Sequence, residues 1–201
     1  MTISWYGEAC FLLESGRVRI LIEPLQKESG INPPRLKSDI LIYSKPRIEK
    51  MAFSDPESEV FIIESPGEYE VKGANIRGIA DGKNIIYNIE MDEIKIAHLG
   101  FADKTLDSKK LAELEDPDIV IVPAGGGDIL DSEGAMNAIN QLEPSIAIPM
   151  LYDIKGLKIK RTPLSTFLKE SEAKESPQPK LSIKKKDLVE EETKIVILEQ
   201  S

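Results

Sequence analysis

The chain has 201 residues, of which 41% are hydrophobic, and this is enough for one domain with a sizeable core. Acidic residues outnumber basic ones by 35 to 26, and the net charge of −9 disfavours binding to the phosphate backbone of nucleic acids. No apolar run approaches the ~20 residues of a membrane-spanning helix. The single cysteine, Cys10, excludes an intramolecular disulfide. We therefore predict a cytoplasmic protein with a single domain over residues 1–201 and with neither nucleic acid nor a membrane as partner.

The first half of the chain is predicted to be mostly antiparallel sheet. Short β-rich runs alternate with turn residues, and Asp81-Gly82 is a two-residue hairpin signal. Residues 23–37 contain three prolines and Gly30, which predicts an irregular excursion. Residues 48–53 are expected to form one helical turn. The predicted strands are 3–6, 10–14, 18–22, 39–43, 60–63, 69–71, 74–79 and 84–89.

Helix and strand alternate in the second half, and this favours helices packed on one face of a sheet. Ser132 is a candidate N-cap for a helix, and Pro163 suits the first position of another. The basic residues 184–186 are followed by the acidic residues 190–192, so the local charge nearly cancels. This pattern is typical of a solvent-exposed face. The predicted helices are Ser108–Leu114, Ser132–Leu142 and 162–169, and the predicted strands are 94–98, 118–122, 145–150 and 194–198.

His98 is the only histidine, and it ends an apolar run rich in β-branched residues. Strand ends are where α/β proteins place chemistry, and an imidazole there could exchange protons at neutral pH. The alternative is a structural histidine whose two ring nitrogens are satisfied by neighbouring backbone. Both interpretations stay open at this point.

Long segments of the chain carry a resemblance to a known family. In order, they are WYGEACFLLESGRVRILIEP, SDILIYS, SPGEYEVKGANIRGI, IKIAHLG, DPDIVIVPAGGGDILDSEGAMNAINQLEPSIAIPMLY and PQPKLSIKKKDL. They resemble the metallo-β-lactamase superfamily, in particular bacterial zinc-dependent hydrolases akin to ascorbate-phosphate lactonases. The resemblance implies an α/β protein with a four-layer αβ/βα sandwich and an active site between loops at one edge of two packed sheets. It also implies a homo-oligomer.

The metal-binding pattern that the resemblance implies is missing from this chain. An H-x-H-x-D-H run should follow the fourth strand, but residues 44–50 contain neither histidine nor aspartate. Glu8 replaces the histidine of a G-H-[SA]-C-F element, Phe101 replaces a metal-bridging aspartate, and Leu151 replaces a final histidine before a tyrosine. A loop that carries a histidine in the family is shortened around Asp81. We expect a vestigial pocket formed by Glu8, Ser44, Lys45, Asp81, His98, Phe101, Asp103, Leu151 and Tyr152.

Metal chemistry sets the next expectation. A zinc centre needs three or four nitrogen, sulfur or carboxylate ligands at ~2.0–2.3 Å, and one histidine and one cysteine cannot supply a histidine-rich centre. We therefore predict no catalytic residue, no metal ligand and no cofactor, with the family zinc site absent. The carboxylates of Glu8, Glu49, Asp81 and Asp103 leave open a site for magnesium or calcium.

Three further motifs carry weaker signals. Ser44 with Lys45 and His98 is the one candidate set for a serine-type mechanism, but adjacent residues on an extended chain point to opposite sides. Cys10, beside two apolar residues, predicts an inert core thiol. Residues 125–127 are three glycines without the spacing of a phosphate-binding loop, and they predict a tight turn before a helix.

The sequence alone therefore predicts a non-catalytic pseudoenzyme that has lost its metal centre and that binds or scaffolds an unidentified small molecule or protein. The alternative is a metal-dependent hydrolase of a small phosphoester, lactone or ester that uses a non-standard carboxylate site. Phe101 and Leu151 together predict an apolar pocket, either collapsed or open to a hydrophobic ligand.

Overall fold

The computed structural model describes residues 1–16, 18–45, 60–174, 176–188 and 192–201. The helical turn predicted for residues 48–53 lies outside these ranges, as does Glu49. The strands are β1 Thr2–Trp5, β2 Phe11–Glu14, β3 Arg19–Ile22, β4 Ile40–Ile42, β5 Phe61–Ile63, β6 Gly67–Val71, β7 Ala74–Asp81, β8 Asn84–Met91, β9 Ile94–His98, β10 Ile119–Pro123, β11 Ile146–Met150, β12 Leu181–Ser182 and β13 Lys194–Ile195. The helices are α1 Ser108–Leu114, α2 Ser132–Leu142 and α3 Leu164–Glu170.

The strands form two mixed sheets. The first sheet has the order β12-β1-β2-β3-β4-β5, and the second has the order β13-β11-β10-β9-β8-β7-β6. The antiparallel meander predicted for β1 to β3 is present, and β4 and β5 extend it as parallel strands. In the second sheet, β6 to β9 are antiparallel, whereas β9, β10, β11 and β13 are parallel.

Side chains alternate between the two faces of each strand, so the second sheet has a hydrophobic cluster on each face. Ile119 and Ile121 of β10 join the cluster that also contains Phe11 of the first sheet, so this cluster lies between the sheets. Val120, one residue away, faces the other side and joins Ile139 of α2. The helices therefore cover the outer face of the second sheet.

The outer face of the first sheet is covered by the irregular segment that follows β3. Leu12, Leu21 and Leu41 of the sheet cluster with Leu25 and Ile31 of this segment, which contains a single 3-10 turn. The layering confirms the predicted α/β sandwich of the αβ/βα type. At 11 residues, α2 is the longest helix in the described ranges, and none of these helices is long and apolar enough to cross a bilayer.

The β7–β8 hairpin turns one residue later than the sequence predicts. Asp81 pairs with Asn84 across the hairpin, so Gly82 and Lys83 are the central residues, and Gly82 has a φ of +65°. Asp81 belongs to the strand because its carboxylate is buried against the Lys110 ammonium of α1, at 2.9 Å.

Helix α2 has the predicted bounds but a different cap. The Asp131 carboxylate accepts a hydrogen bond from the backbone N–H of Gly134 at 2.9 Å, so Asp131 is the N-cap and Ser132 is the first helical residue. A carboxylate satisfies a free N–H and also suits the positive end of the helix dipole. Helix α3 begins at Leu164, two residues later than predicted, with Pro163 immediately before it.

The cap assignment predicts different costs for two neighbouring substitutions. Asp131→Ala should lower the free energy of unfolding by about 1 kcal/mol, because it removes the cap of α2. Ser132→Ala, the matched control, should change it by less than about 0.5 kcal/mol, since the Ser132 hydroxyl is buried without a hydrogen-bond partner. Urea unfolding followed by circular dichroism measures both values. Equal costs would contradict the assignment.

Candidate functional site

Strand ends from both sheets meet at one edge of the sandwich. The parallel strands β9, β10 and β11 all end there, and loops at the carboxyl ends of parallel strands form the crevices in which α/β proteins bind ligands. Ser44, which follows β4 of the first sheet, accepts a hydrogen bond from the backbone N–H of Ile85 in β8 at 2.8 Å. This contact joins the two sheets at the edge.

A buried ion cluster lies at this edge. The Arg161 guanidinium contacts the Glu8 carboxylate at 3.5 Å and the Asp128 carboxylate at 2.8 Å. The side chains of Arg161 and Glu8 are 4% and 9% exposed, whereas the Asp128 side chain is 72% exposed. Burial raises the pKa of Glu8, an effect that Arg161 opposes, and the hydrogen bond from Arg161 lowers the pKa of Asp128.

The backbone around Arg161 is held by two loops of the second sheet. The N–H of Thr162 donates to the Gly125 carbonyl at 2.8 Å, and the N–H of Asp153 donates to the Thr162 carbonyl at 3.0 Å. A Cβ atom on Gly125 would lie 1.9 Å from the Leu151 carbonyl oxygen and 3.1 Å from Cδ of Arg161. A glycine at position 125 is therefore required chiefly by the close approach of the Leu151 carbonyl, and the Arg161 side chain also packs there. This close approach is a second role for the triple glycine predicted only as a turn.

Glu23, directly after β3, forms a second acidic site at the same edge. Its carboxylate accepts a hydrogen bond from the backbone N–H of Ser44. Burial raises the pKa of Glu23 to about 7, although the Ser44 N–H and the Lys45 ammonium both act to lower it. A carboxyl group with this pKa can exchange protons at neutral pH.

Lys45 acts electrostatically on both Glu23 and Asp128. Its ammonium lies over the Phe101 ring, 4.2 Å from the ring centroid, which is a cation–π contact. Lys45 acts on Glu23, as described above, and it also contributes to the lowered pKa of Asp128. Among the described residues, Lys45 and Arg161 thus lie at this edge with the carboxylates of Glu8, Glu23 and Asp128.

Left-handed backbone conformations also occur at this edge. Among the described residues, ten that are not glycine have positive φ, and eight of these, including Glu8 with φ of +50°, lie in turns between antiparallel strands or within two residues of a helix end. The other two are Glu23 and Leu151, with φ of +45° and +60°. Such conformations cost energy, and they persist where the surrounding structure enforces them, often at functional sites.

His98 is fully buried and does not reach the surface of this edge. Its Nδ1 atom accepts a hydrogen bond from the backbone N–H of Gly100 at 3.2 Å, while Nε2 has no hydrogen-bond partner. The ring packs edge-on against Phe11, with centroids 6.0 Å apart. Burial lowers the pKa of His98 to about 3, so the imidazole is neutral at pH 7. The structural interpretation of His98 therefore holds for one ring nitrogen only.

The apolar residues predicted for the pocket mostly belong to the core. Leu151 is fully buried and Tyr152 nearly so, with the Tyr152 ring 5.0 Å from that of Trp5. Phe101 is partly buried and packs against the same core cluster. These side chains form an apolar wall behind the charged edge.

The serine-type set and the cysteine are not placed for catalysis. Ser44 is fully buried, and its hydroxyl would lie 2.7 Å from a Cβ on Gly100, so a substrate cannot reach it. Cys10 is 1% exposed, and burial raises the pKa of its thiol to about 12. A protonated thiol in this position is a poor nucleophile.

The remaining acidic candidates do not gather into a metal centre. Asp81 is paired with Lys110, and Asp103 is exposed. Within the described ranges, no group of three or more His, Cys, Asp or Glu side chains could hold a metal ion. A guanidinium rather than further donors stands beside Glu8. The described residues therefore do not fit the zinc centre of the fold, nor the magnesium or calcium site left open above.

Arg161 and Glu23 were missed at the level of sequence. Arg161 lies in an irregular stretch with several lysines, and Glu23 begins a proline-rich excursion, so neither belongs to a recognisable motif. The signals available were the three glycines at 125–127, which indicate close packing, and a strand end at Ile22. Neither signal identifies which side chain becomes buried.

Comparison with known proteins supplies the family context. The profile of the beta-lactamase superfamily domain matches residues 2–151. A protein from Archaeoglobus fulgidus named a metal-dependent hydrolase is 26% identical over 194 residues, covering 76% of this chain and 84% of that protein. One from Thermoplasma acidophilum with the same name is 26% identical over 189 residues, again covering 76% and 84%.

Solved structures share the fold. A proposed Zn-dependent hydrolase of the metallo-β-lactamase superfamily from Thermotoga maritima has a TM-score of 0.82 and 28% identity, with 98% of each chain covered. A metallo hydrolase from Ignicoccus hospitalis has a TM-score of 0.64 and 16% identity, with 98% of this chain and 94% of that chain covered.

The prediction of a non-catalytic pseudoenzyme is wrong in the light of these comparisons. Relatives that align with most of the chain are named metal-dependent hydrolases, and this favours the hydrolase alternative. The prediction equated the loss of a histidine pattern with the loss of hydrolysis. It did not count the charged groups at the edge, because no motif marks them.

The state of His98 can be measured directly because it is the only histidine. We expect its imidazole NMR resonances not to titrate between pH 5 and 8. The unfolded chain takes up a proton at this residue near pH 6.5, whereas the folded chain does so only near the pKa of about 3. His98 therefore contributes stability that is complete above pH 6.5 and is lost as the pH falls from there towards 3. A midpoint near 6.5 in the folded protein would contradict this.

The buried ion pair should show strong coupling. Arg161→Met should lower the free energy of unfolding by about 3 kcal/mol or more, because it leaves the Glu8 carboxylate buried without its cation. The double variant Arg161→Met, Glu8→Gln should recover much of that loss, since neither charge is then buried. Urea unfolding at pH 8 of the two single variants and the double variant completes the cycle. Additive single-variant effects would contradict a direct interaction.

Proposed function

We propose that this chain, which belongs to the beta-lactamase superfamily, is a hydrolase of a small ester, acting at the edge formed by Glu8, Glu23, Lys45, Asp128 and Arg161. The substrate class is a phosphoester, a lactone or another ester. We call these five residues the charged edge.

The observation that carries this proposal is that four charged side chains follow strand ends at one edge of the two sheets, and Arg161 pairs with two of them. Glu8 follows β1, Glu23 follows β3, Lys45 follows β4 and Asp128 follows β10. Three segments of chain thus supply the carboxylates, and two others supply the cations. The left-handed backbone at Glu23, which lies outside the hairpin turns, supports a functional origin, because such conformations cost energy and persist where the surrounding structure enforces them.

Glu23 is the general base in this proposal. A base is most effective when its pKa lies near the working pH, and the pKa of Glu23 is about 7. Its carboxylate removes a proton from water as the water oxygen bonds to the carbonyl carbon or the phosphorus. The proton then returns to the leaving oxygen as the ester bond breaks. The Ser44 N–H holds the carboxylate in place during these transfers.

Lys45, which is exposed, stabilises the negative charge that develops on the substrate oxygen. Arg161, whose side chain is 4% exposed, is a positioning residue that holds the Glu8 and Asp128 carboxylates at the edge. The relatives are named metal-dependent hydrolases, but the described residues of this chain do not form a metal-binding group. The proposal therefore takes no step through a metal ion.

We also propose a cytoplasmic location, supported by the single, buried cysteine. Cys10 has no second cysteine with which to form an intramolecular disulfide, so the fold does not depend on an oxidising compartment.

Hydrolysis assays against phosphoesters, lactones and carboxylic esters test the proposal. For the class that is turned over, kcat/KM should rise with pH through about 7 and then level off, because Glu23 must lose its proton to act as a base. Glu23→Gln should lower kcat/KM by roughly 10²- to 10⁴-fold and remove the rising limb of the profile.

Glu70→Gln is the matched control, since Glu70 is exposed on β6, outside the charged edge, and should leave both the rate and its pH profile unchanged. Parallel assays in EDTA should retain activity. Three outcomes would overturn the proposal: no hydrolysis in any substrate class, a Glu23→Gln variant as active as the unmodified protein, or activity that requires an added divalent ion.

A further inference from the structure

A cavity lies between the outer face of the first sheet and the irregular segment that follows β3. Its volume is about 410 Å³, which is within the range of ~300–1,000 Å³ that is usual for small-molecule sites. None of the five residues of the charged edge lines this cavity. It is therefore a second candidate site, separate from the one proposed for hydrolysis.

The wall of the cavity is mostly apolar. Leu21 of β3 and Leu41 of β4 belong to the sheet, whereas Leu25 and Leu36, together with three prolines, belong to the irregular segment. The four leucines pack in the same hydrophobic cluster. The Cys10 thiol, which also lines the cavity, behaves as a small apolar group. Because these side chains offer no strong hydrogen bonds, the part of a ligand that enters must itself be apolar.

Two cations stand at the rim of the cavity. Arg35 and Lys37 contribute to its lining and are exposed, and they flank Leu36, which is half-buried in the cluster. The Asp39 carboxylate, two residues further on, is paired with the Lys72 ammonium at 2.6 Å instead. Within the described ranges, neither Arg35 nor Lys37 takes part in an ion pair.

The charge of the rim opposes the charge of the whole chain. A chain with a net charge of −9 repels anions in general, so an anionic group binds only where local cations attract it. The guanidinium of Arg35 presents a planar fork of donors that matches the two oxygens of a carboxylate. An apolar interior with a cationic rim is therefore complementary to an apolar molecule that ends in a carboxylate.

We propose that this cavity binds a small monocarboxylate with an apolar body, such as a straight-chain acid of six to eight carbons. The chain lies against the four leucines, and the carboxylate lies at the rim beside Arg35 and Lys37. The volume suits one short chain rather than the two long chains of a membrane lipid. This inference does not rest on the proposed hydrolysis, and its readout is binding.

Isothermal titration calorimetry with hexanoate and octanoate tests the inference. Each buried methylene contributes ~0.8 kcal/mol, about fourfold in affinity, so octanoate should bind roughly 15-fold more tightly than hexanoate. Octylamine has the same chain with a positive head and should bind roughly tenfold or more weakly than octanoate. No binding of octanoate, or equal affinities for octanoate and octylamine, would overturn the inference.

Substitutions at the rim separate the role of charge from that of the apolar wall. The double variant Arg35→Gln, Lys37→Gln should lower the affinity for octanoate roughly fivefold or more and leave that for 1-octanol unchanged. Lys27→Gln is the matched control, since Lys27 is exposed on the same irregular segment but does not line the cavity. An equal loss of octanoate affinity in the control and the double variant would contradict anchoring at the rim.

Methyl NMR of the unmodified protein locates the ligand without any substitution. With leucine methyl groups labelled with carbon-13, octanoate should shift the resonances of the four cavity leucines. Those of Leu99 and Leu151, which are buried elsewhere in the core, should stay unchanged. Shifts centred on Leu99 or Leu151 would place the acid at another site and overturn the inference. Ester hydrolysis is assayed separately, so failure of this inference is distinguishable from failure of the proposed function.

Discussion

The buried ion pair between Glu8 and Arg161 is the interaction on which the edge of this protein depends. It ties the turn between the first two strands to a segment more than 150 residues later, with 3.5 Å between the charged atoms. Because both side chains lie almost entirely out of water, either charge alone would be strongly unfavourable. The loops after β10 and β11 pack closely beside this pair, because Gly125 lets the Leu151 carbonyl approach next to the Arg161 side chain.

Burial changes which titratable group of this edge has a pKa near neutral pH. The histidine that would be the natural choice for proton transfer is buried and neutral, while burial brings a carboxyl group, Glu23, into the neutral range. The same physical effect, loss of solvent, thus removes one titratable group from the working range and introduces another. Leu151 and Tyr152, predicted for the pocket, are buried in the core.

The fold could be predicted from local pattern because its elements carry strong local signals. The bounds of α1 and α2 follow from helical periodicity, and the alternation in β10 assigns Val120 and Ile121 to opposite faces. Other bounds differ by one to three residues, and β12 was not predicted. At the cap of α2 and at the β7–β8 turn the error is one residue, and a specific side-chain contact decides between neighbours. Asp131 and Asp81 each belong to such a contact.

Only some residues of the site could be predicted from the sequence. Glu8, Lys45 and Phe101 were found because they stand at positions where a family pattern is broken. Arg161 and Glu23 were not, because their importance comes from burial against residues far away in the sequence, and this leaves no periodicity or spacing to detect. A missing motif shows only which groups have gone, and it does not show which groups have replaced them.

Trp5 is the only tryptophan in the chain, and its place next to Glu8 has a practical consequence. Its indole N–H donates to the Glu8 carbonyl at 2.8 Å, and its ring lies 5.0 Å from that of Tyr152. Any movement of the Glu8 turn must change the surroundings of this indole. The protein therefore contains an intrinsic fluorophore beside the Glu8 turn, and its emission spectrum follows the state of the edge without an attached label.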